Sequence, residues 1–501
     1  DTGSQSSLLK LLAPQLSFLP RMGQAMRCQV NALSLEAAPT PLPSDESQTE
    51  SGPESEPRSE PESEPEEPSG ARMPGLSTGI AIAQLPGHLA VASEPAALQK
   101  LIDAQARTPL AQNPQFQRTL KHAQFERSLT VGYGEYTGLL KLANQFFAQL
   151  PPIPDPEGKN VRPQKLFSAK QIDYLTQNYS TFDLLTWVRP EGLHSQSNAY
   201  FTGLKPEKAT PNFSDANQIL TRLPAATFVS ANSRNFKQQW QEFVEFSQGD
   251  KESQDALKLL RDNVRKMTGL DLDQDLIAWM DQQYAVFFFP TKGGFFNAIN
   301  PQINIGYALL IQTSDRPAAE AALKKIDQLV KKEARGGISI ANRRIKGQLM
   351  TSWEAKDGKR SISLLSHHWI SNDTLMLTSG TGAAADLTPK PFVPLNLTYT
   401  FKTATNPFPL PSQGYFYLNM GSTLAFVNTL VRAFEPEIVE SPYYQTGLSI
   451  IGTIRSISSS QTMTDDRLQA DSLWVLGARR QASTVSQPEP PEPSNSSDQT
   501  P

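Results

Sequence analysis

The sequence predicts an α+β protein made of two tandem repeated modules, each a curved antiparallel sheet with helices packed on one face, the first module being incomplete. Three observations lead to this prediction. Segments with helical periodicity alternate with strands, a long hairpin closes each half of the chain, and a long stretch of sequence occurs twice. Long hairpins with alternating apolar residues are typical of antiparallel sheets that have one covered face.

The two copies of the repeated stretch are related by a nearly constant offset. Leu89 matches Leu375 at an offset of 286, and Leu139 matches Leu424 at an offset of 285. The closing hairpins continue the match, since Leu193 corresponds to Leu468 at an offset of 275. We therefore predict the later half of a first module at residues 74–205 and a complete second module at residues 220–478.

The remaining segments are poor in apolar residues or short. Residues 1–36 have the spacing of an amphipathic helical remnant, whereas residues 37–73 form an acidic Pro/Glu/Ser linker and residues 479–501 a polar tail, both predicted to be disordered. Asp45 to Glu67 holds ten carboxylates and one Arg, a net charge of −9, so the rest of the chain sums to +5 against a total of −4. This near-neutral remainder argues against nucleic acid as a partner.

Cysteine content and hydropathy limit the class of protein further. Cys28 is the single cysteine, so no disulfide forms within the chain, and the neighbouring Arg27 is a weak argument for a reactive thiol compared with an inert one. No apolar stretch is long enough to predict a transmembrane segment, although peripheral membrane contact remains open.

In the first module the predicted elements follow in a regular order. Two strands flank the turn at Pro86-Gly87, a helix starts at Pro95, and a strand, a helix and a hairpin follow. Their ranges are 79–83, 88–93, 129–133, 137–149, 181–188 and 193–201. Apolar alternation supports the strands, and an apolar stripe at helical spacing supports the helices.

The second module begins with a segment that has no earlier counterpart. We predict a strand at 227–231, helices at 235–246, 255–267 and 276–280, and strands at 284–289 and 303–313. Ser314-Asp315 then caps a helix that Pro317 opens. Strands are predicted at 338–353 and 361–370, and the closing hairpin at 456–463 and 468–476.

Motifs that resemble cofactor or metal sites fail on their spacing. Gly132 to Gly138 follows a strand, but its third glycine is one residue late for a dinucleotide fingerprint, so a tight strand-to-helix turn is favoured. Asp271, Asp273 and Asp275 alternate as in a calcium loop, but Leu276 replaces the required glycine, so helix capping is favoured. His367 and His368 point to opposite faces of a strand. We predict no catalytic, cofactor or metal site.

An aromatic run is the candidate for a contact site. Phe287, Phe288 and Phe289 alternate in a strand, so both of its faces are apolar and the strand is expected to lie between layers. Phe295 and Phe296 follow Gly293-Gly294 in a predicted loop. Burial against the same domain is the default expectation for this pair, and contact with a membrane or a partner is the alternative.

Four groups of residues resemble a family of cyanobacterial proteins that carries the label domain of unknown function 3352. They are Leu223-Pro224-Ala225-Ala226-Thr227, the run Thr268 to Leu272 with Trp279, the segment Leu89 to Ser93 followed by Leu98, and the closing hairpin from Ile454 to Leu476. The resemblance implies two modules behind an N-terminal membrane anchor, on the periplasmic or thylakoid-lumenal side of a membrane, and no known activity. Because the Leu-Pro-led half of the first module is absent before Gly79, we expect the anchor to lie outside this chain.

These observations favour a non-enzymatic scaffold or binding protein of the cyanobacterial cell envelope or thylakoid lumen, acting through a protein or lipid partner. Two alternatives stay open. One is a carrier that holds a lipid or pigment in an internal cavity. The other is a hydrolase that uses Asp465, Asp466 or His194, although the two aspartates lie in a predicted hairpin turn, where a solvated carboxylate is ordinary.

Overall fold

A computed structural model describes residues 81–85, 88–92, 95–104, 109–148, 153–154, 160–161, 166–203, 218–333, 337–357 and 360–477. The predicted helical remnant, linker and tail, together with Cys28, lie outside these residues. The chain divides into two compact units, Asp1–Asn113 with Lys141–Leu166, and Pro114–Leu140 with Phe167–Pro501. The predicted module boundaries stay a prediction.

The first unit contains a small hairpin with one helix against it. Strands β1 (Ala81–Leu85) and β2 (His88–Ala92) pair antiparallel, and helix α1 (Pro95–Ala104) contacts both. Leu98 is the buried side chain of α1. The later part of helix α3 (Tyr136–Ala148) and the short strands β4 (Ile153–Pro154) and β5 (Asn160–Val161) also belong to this unit.

In the described part of the second unit, thirteen strands form one antiparallel sheet. Their order across the sheet is β11-β12-β13-β14-β10-β9-β8-β15-β16-β17-β7-β6-β3. The strands are β3 (Ser128–Glu135), β6 (Tyr179–Arg189), β7 (Gly192–Phe201), β8 (Val229–Arg234), β9 (Gln283–Phe289), β10 (Gly306–Gln312), β11 (Ile338–Ile345), β12 (Gln348–Asp357), β13 (Arg360–Trp369), β14 (Thr374–Thr378), β15 (Tyr415–Asn419), β16 (Ile454–Met463) and β17 (Arg467–Leu476).

Helices connect these strands and cover parts of the sheet. They are α2 (Pro114–Leu120), α4 (Ala169–Asn178), α5 (Phe236–Ser247), α6 (Lys251–Thr268), α7 (Phe295–Ile299), α8 (Arg316–Glu333), α9 (Thr381–Leu387), α10 (Tyr399–Thr405), α11 (Met420–Phe434), α12 (Pro436–Glu440) and α13 (Pro442–Ile451). Several start as the sequence predicts. Asp315 accepts a hydrogen bond from the backbone N–H of Ala318, which caps α8.

Two of the predicted strands and helices differ from the structure. The strand predicted over 338–353 is the hairpin β11–β12, which turns at Lys346 and Gly347, both with positive φ (46° and 84°). Such a pair forms the tight turn whose twist matches the flanking strands. The helix predicted at 276–280 starts earlier, as a π-helix over Leu272–Ile277.

Helices pack on both faces of the sheet, so the prediction of a single covered face is wrong. Phe287, Leu310 and Met376 contribute to one buried cluster, together with residues of α9 and α10. Ile311 and Leu375 point the other way and form a second cluster with Trp279 and with Ala319 and Leu323 of α8. The physical reason is that β10 and β14 are apolar at consecutive positions, and successive side chains of a strand point to opposite faces.

Six neighbouring strands follow a palindromic order about the pair β17·β7. The order β15-β16-β17-β7-β6-β3 places β16 opposite β6 and β15 opposite β3. Gln196 pairs with Asp471, and these two positions are also related by the offset of 275 that the sequence gives. The ring pairs Phe116–Tyr133 and Phe401–Tyr417 have centroid distances of 5.0 and 5.1 Å.

Candidate functional site

One row of the sheet is apolar across eight consecutive strands. Directly paired residues lead from β10 to β6 on the face that carries Phe288, and we call this row the apolar strip. Its members are Tyr307, Phe288, Val229, Leu418, Ile457, Trp474, Leu193 and Val188. Phe288, Trp474 and Val188 are 37%, 43% and 65% exposed, and the structure leaves the others half-buried.

The next row on the same face changes character along the sheet. Its first half is apolar and includes Val286 and Phe416, both of which are exposed. Its second half carries hydroxyl groups, namely Ser459, Ser472, Ser195, Thr186 and Thr130, in direct cross-strand succession. The apolar strip is therefore bordered by hydroxyl groups over β16, β17, β7 and β6.

Phe295 and Phe296 lie at one end of the apolar strip. They begin the short helix α7, where the sequence predicts a loop, and both rings are half-buried. Their centroids are 5.3 Å apart, Phe296 is 6.4 Å from Tyr307, and Tyr307 is 6.4 Å from Phe288. A continuous series of aromatic rings thus extends from α7 onto the sheet. Whether the pair contacts a membrane or a partner stays a prediction.

Beside α7 an open cleft of about 500 Å³ carries charged side chains. Glu354 is buried and accepts two hydrogen bonds from Arg343, at 2.6 and 2.5 Å, and one from the hydroxyl of Ser361. Hydrogen bonding by Arg343 lowers the pKa of Glu354 to about 2. Because the carboxylate is held by this ion pair, it is a structural anion rather than a proton donor near neutral pH.

Each of the three alternating aspartates that resemble a calcium loop forms an ion pair with a basic side chain of the protein. Asp271 caps the π-helix by accepting from the backbone N–H groups of Asp273 and Gln274, and it also pairs with Arg265. Hydrogen bonding by Arg261 lowers the pKa of Asp273, and Asp275 pairs with Lys325. The capping role that the sequence favours is confirmed for Asp271.

Two further clefts, of about 650 and 740 Å³, adjoin the π-helix, and Arg261 and Asp271 line both. Among the described residues, no group of three or more His, Cys, Asp or Glu side chains is placed to hold a metal ion. Within these linings Arg261 pairs with Asp273 and Arg265 with Asp271, and Trp240 donates to Asp273. These contacts join α5 and α6 to the π-helix.

The face of the sheet opposite the apolar strip carries a buried polar network. The carboxylate of Asp183 accepts from the hydroxyls of Thr119 and Tyr200 and from the amide of Asn198, at 2.7 to 2.9 Å. Burial, and then this hydrogen bond, raise the pKa of Tyr200. Because each donor is itself buried, the network satisfies a carboxylate inside the protein.

His194 belongs to the same buried region, on the neighbouring strands. Its Nε2 lies 2.8 Å from Oδ1 of Asp471, its ring stacks on Trp187 at 4.4 Å, and Phe408 meets it edge-on. Asp465 and Asp466, the other residues of the hydrolase alternative, lie in the exposed turn between β16 and β17. The structure therefore pairs His194 with Asp471, a residue the sequence analysis did not single out.

The remaining motif residues have structural partners or no polar partner. The imidazole of His367 contacts Asp327 of α8 at 3.1 Å, whereas His368 points to the opposite face, as predicted. Burial, and then the neighbouring His367, lower the pKa of His368 to about 4. Gly132 to Gly138 spans the end of β3 and the start of α3, so the predicted strand-to-helix turn is confirmed.

The family is decided by a comparison of the whole chain. Residues 57–475 match the family described as "Protein of unknown function (DUF3352)". The chain belongs to this family. Membership in the DUF3352 family confirms the resemblance inferred from Leu223 to Thr227, Thr268 to Leu272 and the closing hairpin, whereas a cyanobacterial origin stays a prediction.

Two further comparisons were made with this DUF3352 protein, one against curated proteins and one against solved structures. A comparison with curated proteins found no match. Among solved structures it is similar to crystal form III of TP0453, with 10% identity, coverage of 52% of this chain and 80% of that chain, and a TM-score of 0.24. In the part of the chain that the structure describes, none of the helices has the length and apolarity needed to cross a membrane.

The sequence analysis missed the apolar strip because alternation alone does not say which face is covered. Leu184 and Leu185 are adjacent in β6, yet Leu185 is fully buried and Leu184 is exposed. Consecutive apolar residues, such as Leu184 and Leu185, indicate that both faces of a strand are apolar. That pattern was used above only for Phe287 to Phe289.

Proposed function

We propose that this protein is a non-enzymatic binding protein that holds the acyl chains of membrane lipids along its apolar strip. The observation that carries the proposal is the unbroken row of apolar side chains over eight strands, which is exposed at Phe288, Trp474 and Val188 and half-buried elsewhere. The row continues through Tyr307 into Phe296 and Phe295. Contiguous exposed apolar surface of this kind marks a binding site, whereas single exposed apolar residues need no explanation.

The shape of the strip favours a lipid chain over a protein surface. Eight strands span seven gaps of about 4.8 Å, so the strip is roughly 34 Å long. Over β16, β17, β7 and β6 the hydroxyl row borders it on one side. A protein interface of standard size needs about 800 Å² on each partner and hence a broader patch. A narrow apolar strip with a hydroxyl border suits an extended amphipathic molecule.

The contacts of the titratable groups support binding over hydrolysis. His194 and Asp471 are paired in the buried network, and Asp183 is surrounded by three hydrogen-bond donors. A hydrolytic site needs a nucleophile and a base that reach a substrate. These groups lie on the face of the sheet opposite the apolar strip.

We further propose that the sheet arose by duplication and that the protein works in the cell envelope or thylakoid lumen of a cyanobacterium. Two observations support the duplication. The strand order is palindromic, and the paired residues Gln196 and Asp471 are separated by the same 275 residues that relate the two closing hairpins. The localisation rests on the family resemblance, and fractionation of source cells tests it. Recovery of the protein in the cytosolic fraction would contradict it.

The lipid proposal is tested with the paired substitutions Val188→Asp and Phe288→Asp. Each places a carboxylate on the strip, and burying a charge against an acyl chain is unfavourable. We expect lipid retained through gentle purification, measured by native mass spectrometry and by binding of a fluorescent fatty acid, to fall about fivefold or more. Phe295→Asp/Phe296→Asp is expected to lower liposome flotation in addition.

Leu349→Asp is the matched control, because Leu349 is an exposed apolar residue of β12 outside the strip. This variant is expected to bind lipid like the wild type. The proposal is wrong if the wild type carries and binds no lipid, or if the strip variants bind as well as Leu349→Asp. Retention of a protein instead of lipid by the strip would show that the partner is a protein.

A further inference from the structure

The two ends of the thirteen-stranded sheet differ in how they are protected against pairing with another strand. The edge strand β11 carries Arg343 and Arg344, and charged side chains of this kind discourage edge pairing. At the other edge, β3 has the sequence Ser-Leu-Thr-Val-Gly-Tyr-Gly-Glu, with no charge before Glu135. Leu129 and Val131 of β3 are exposed. Among the strands that the structure describes, one edge of the sheet therefore carries charged side chains and the other does not.

The proposed duplication relates β3 to β15, a strand of the same sheet whose outer edge is paired. Pairing registers relate β3 to β15, since Tyr133 pairs with Asp183 as Tyr417 pairs with Ser458, and Asp183 and Ser458 are 275 residues apart. The outer edge of β15 is occupied by β8, with Tyr417 beside Ser230. In the described residues nothing in the sheet occupies the corresponding edge of β3.

The exposed fractions of Tyr415 in β15 and Val131 in β3, which are equivalent positions, differ in the way that a missing neighbour strand predicts. Tyr415 of β15 is 6% exposed, whereas Val131, which corresponds to it at the same offset of 284 as Tyr133 and Tyr417, is 40% exposed. Val131 lies beside the fully buried Leu185, so its exposure comes from the open side of the strand. A strand added there would cover the apolar side chain of Val131 and extend the sheet by backbone pairing.

We propose that the outer edge of β3 is a strand-accepting site whose partner is an extended segment with the sequence character of β8. This inference rests on the proposed duplication and is independent of lipid binding. The register of β15 against β8 fixes the pairing. Tyr133 would lie opposite the partner's equivalent of Ser230, and Gly132 opposite its equivalent of Ala231. The small side chains of β8 suit this position because they leave room for the rings of β3 and its neighbours.

The probe is a synthetic peptide with the sequence of residues 226–235, added to the full chain. Hydrogen–deuterium exchange is expected to slow about tenfold or more at the amides of residues 129–134, as pairing protects backbone N–H groups from solvent. Exchange in β11 is expected to stay unchanged. A peptide with proline in place of Ser230 is expected to give no protection, because it lacks the N–H group that faces β15 in the fold. Asn419 of β15 donates to the backbone oxygen of Phe228, and hydrogen-bonded pairs recur at every second residue, so Ser230 is the next residue of β8 that pairs in this way.

Val131→Lys tests the site from the side of the protein, because an edge lysine opposes pairing. It is expected to weaken peptide binding about tenfold, while Leu349→Lys, at an exposed position of β12 outside the apolar strip and far from β3 in the strand order, leaves peptide binding unchanged. Protection of β6 and β7 in each variant reports that the sheet remains folded, and the proline peptide tests the site without altering the protein.

Three results would overturn the proposal: no protection of β3 at saturating peptide, equal protection by the proline peptide, or protection located at β11. A doubled mass in light scattering with β3 already protected in the absence of peptide would show that a second copy of the chain occupies the edge. That outcome would contradict the choice of a β8-like partner, and none of these results depends on the lipid measurements.

Discussion

At the scale of single residues, His368 is the side chain whose protonation the fold opposes most clearly. It is 3% exposed, and both of its ring nitrogens lack a hydrogen-bond partner in the part of the chain that the structure describes. Burial, and then the adjacent His367, lower its pKa from 6.5 to about 4. The folded state therefore holds the neutral ring, whereas the unfolded chain takes up a proton below pH 6.5.

This difference predicts the direction of the pH dependence. The contribution of His368 to the free energy of unfolding is complete above pH 6.5 and is lost as the pH falls from 6.5 toward 4, by about 3 kcal/mol in total. In His368→Leu this loss is absent, and removal of two unpaired buried nitrogens raises stability at pH 7 by about 1 kcal/mol. Urea unfolding at several pH values between 7.5 and 4.5 measures both effects.

Wild-type protein in the same buffers is the reference for this experiment. Equal slopes of stability against pH for the wild type and His368→Leu between pH 6.5 and 4.5 would show that His368 is not the group responsible. The surroundings of His367 and His368 also show what the sequence alone could not predict. The strand periodicity predicts that His367 and His368 diverge, but not that His367 meets Asp327 of a distant helix while His368 meets no polar partner.

At the scale of elements, the start of α9 is fixed by a close approach of two glycines. A Cβ at Gly382 would lie 1.8 Å from the backbone oxygen of Gly293, and a Cβ at Gly293 would lie 2.8 Å from the Cα of Gly382. Backbone atoms cannot swing aside as a side chain does, so these positions require glycine. The segment that leads into α7 is thereby held against the first turn of α9.

Gly382→Ala is expected to lower the free energy of unfolding by about 3 kcal/mol or more, because the two backbones must separate. Gly447→Ala is the matched control, since a Cβ at this position of α13 meets nothing within 4 Å. It is expected to raise stability by about 0.5–1 kcal/mol. Chemical denaturation of both variants decides the matter. A Gly382→Ala protein as stable as the wild type would contradict the close contact.

Most elements could be predicted from local pattern, and the exceptions have identifiable causes. The closing hairpins, the strand at Tyr284 to Phe289 and the helix opened at Pro317 agree with the structure to within a few residues. Lys346-Gly347 was missed because lysine is a rare residue at positive φ, although glycine after it is a turn signal. The π-helix was missed because its three aspartates are stabilised by cations that come from α6 and α8.

At the scale of the whole molecule, the described part of the second unit depends on one continuous sheet. β7 and β17 join its two halves, and this contact links residues 277 apart in the chain, as His194 and Asp471 show. The sequence could predict both hairpins but not that they lie side by side, since no local pattern specifies a partner at that distance. The strip and the buried network both extend across this junction.

A continuous sheet predicts that the two halves lose structure together. Leu185 is fully buried in β6, and Leu185→Ala is expected to lower the free energy of unfolding by about 3 kcal/mol. Hydrogen exchange should then accelerate in β8 and β9 as well as in β6 and β7. Val188→Ala, at an exposed position of the same strand, is the control and should leave both regions unchanged. Faster exchange restricted to β6 and β7 would show that the halves unfold independently.

The pairing of β7 with β17 has a consequence during synthesis of the protein. The ribosome completes Phe201 before it has made any of Arg467–Leu476, and translation of the 265 residues between Phe201 and Arg467 takes about 13 to 53 seconds at ~5–20 residues per second. Throughout that interval the emerging polypeptide presents a finished hairpin with one vacant side. Nascent chains in this state are natural clients of chaperones, and slow codons placed between the two hairpins would prolong their exposure.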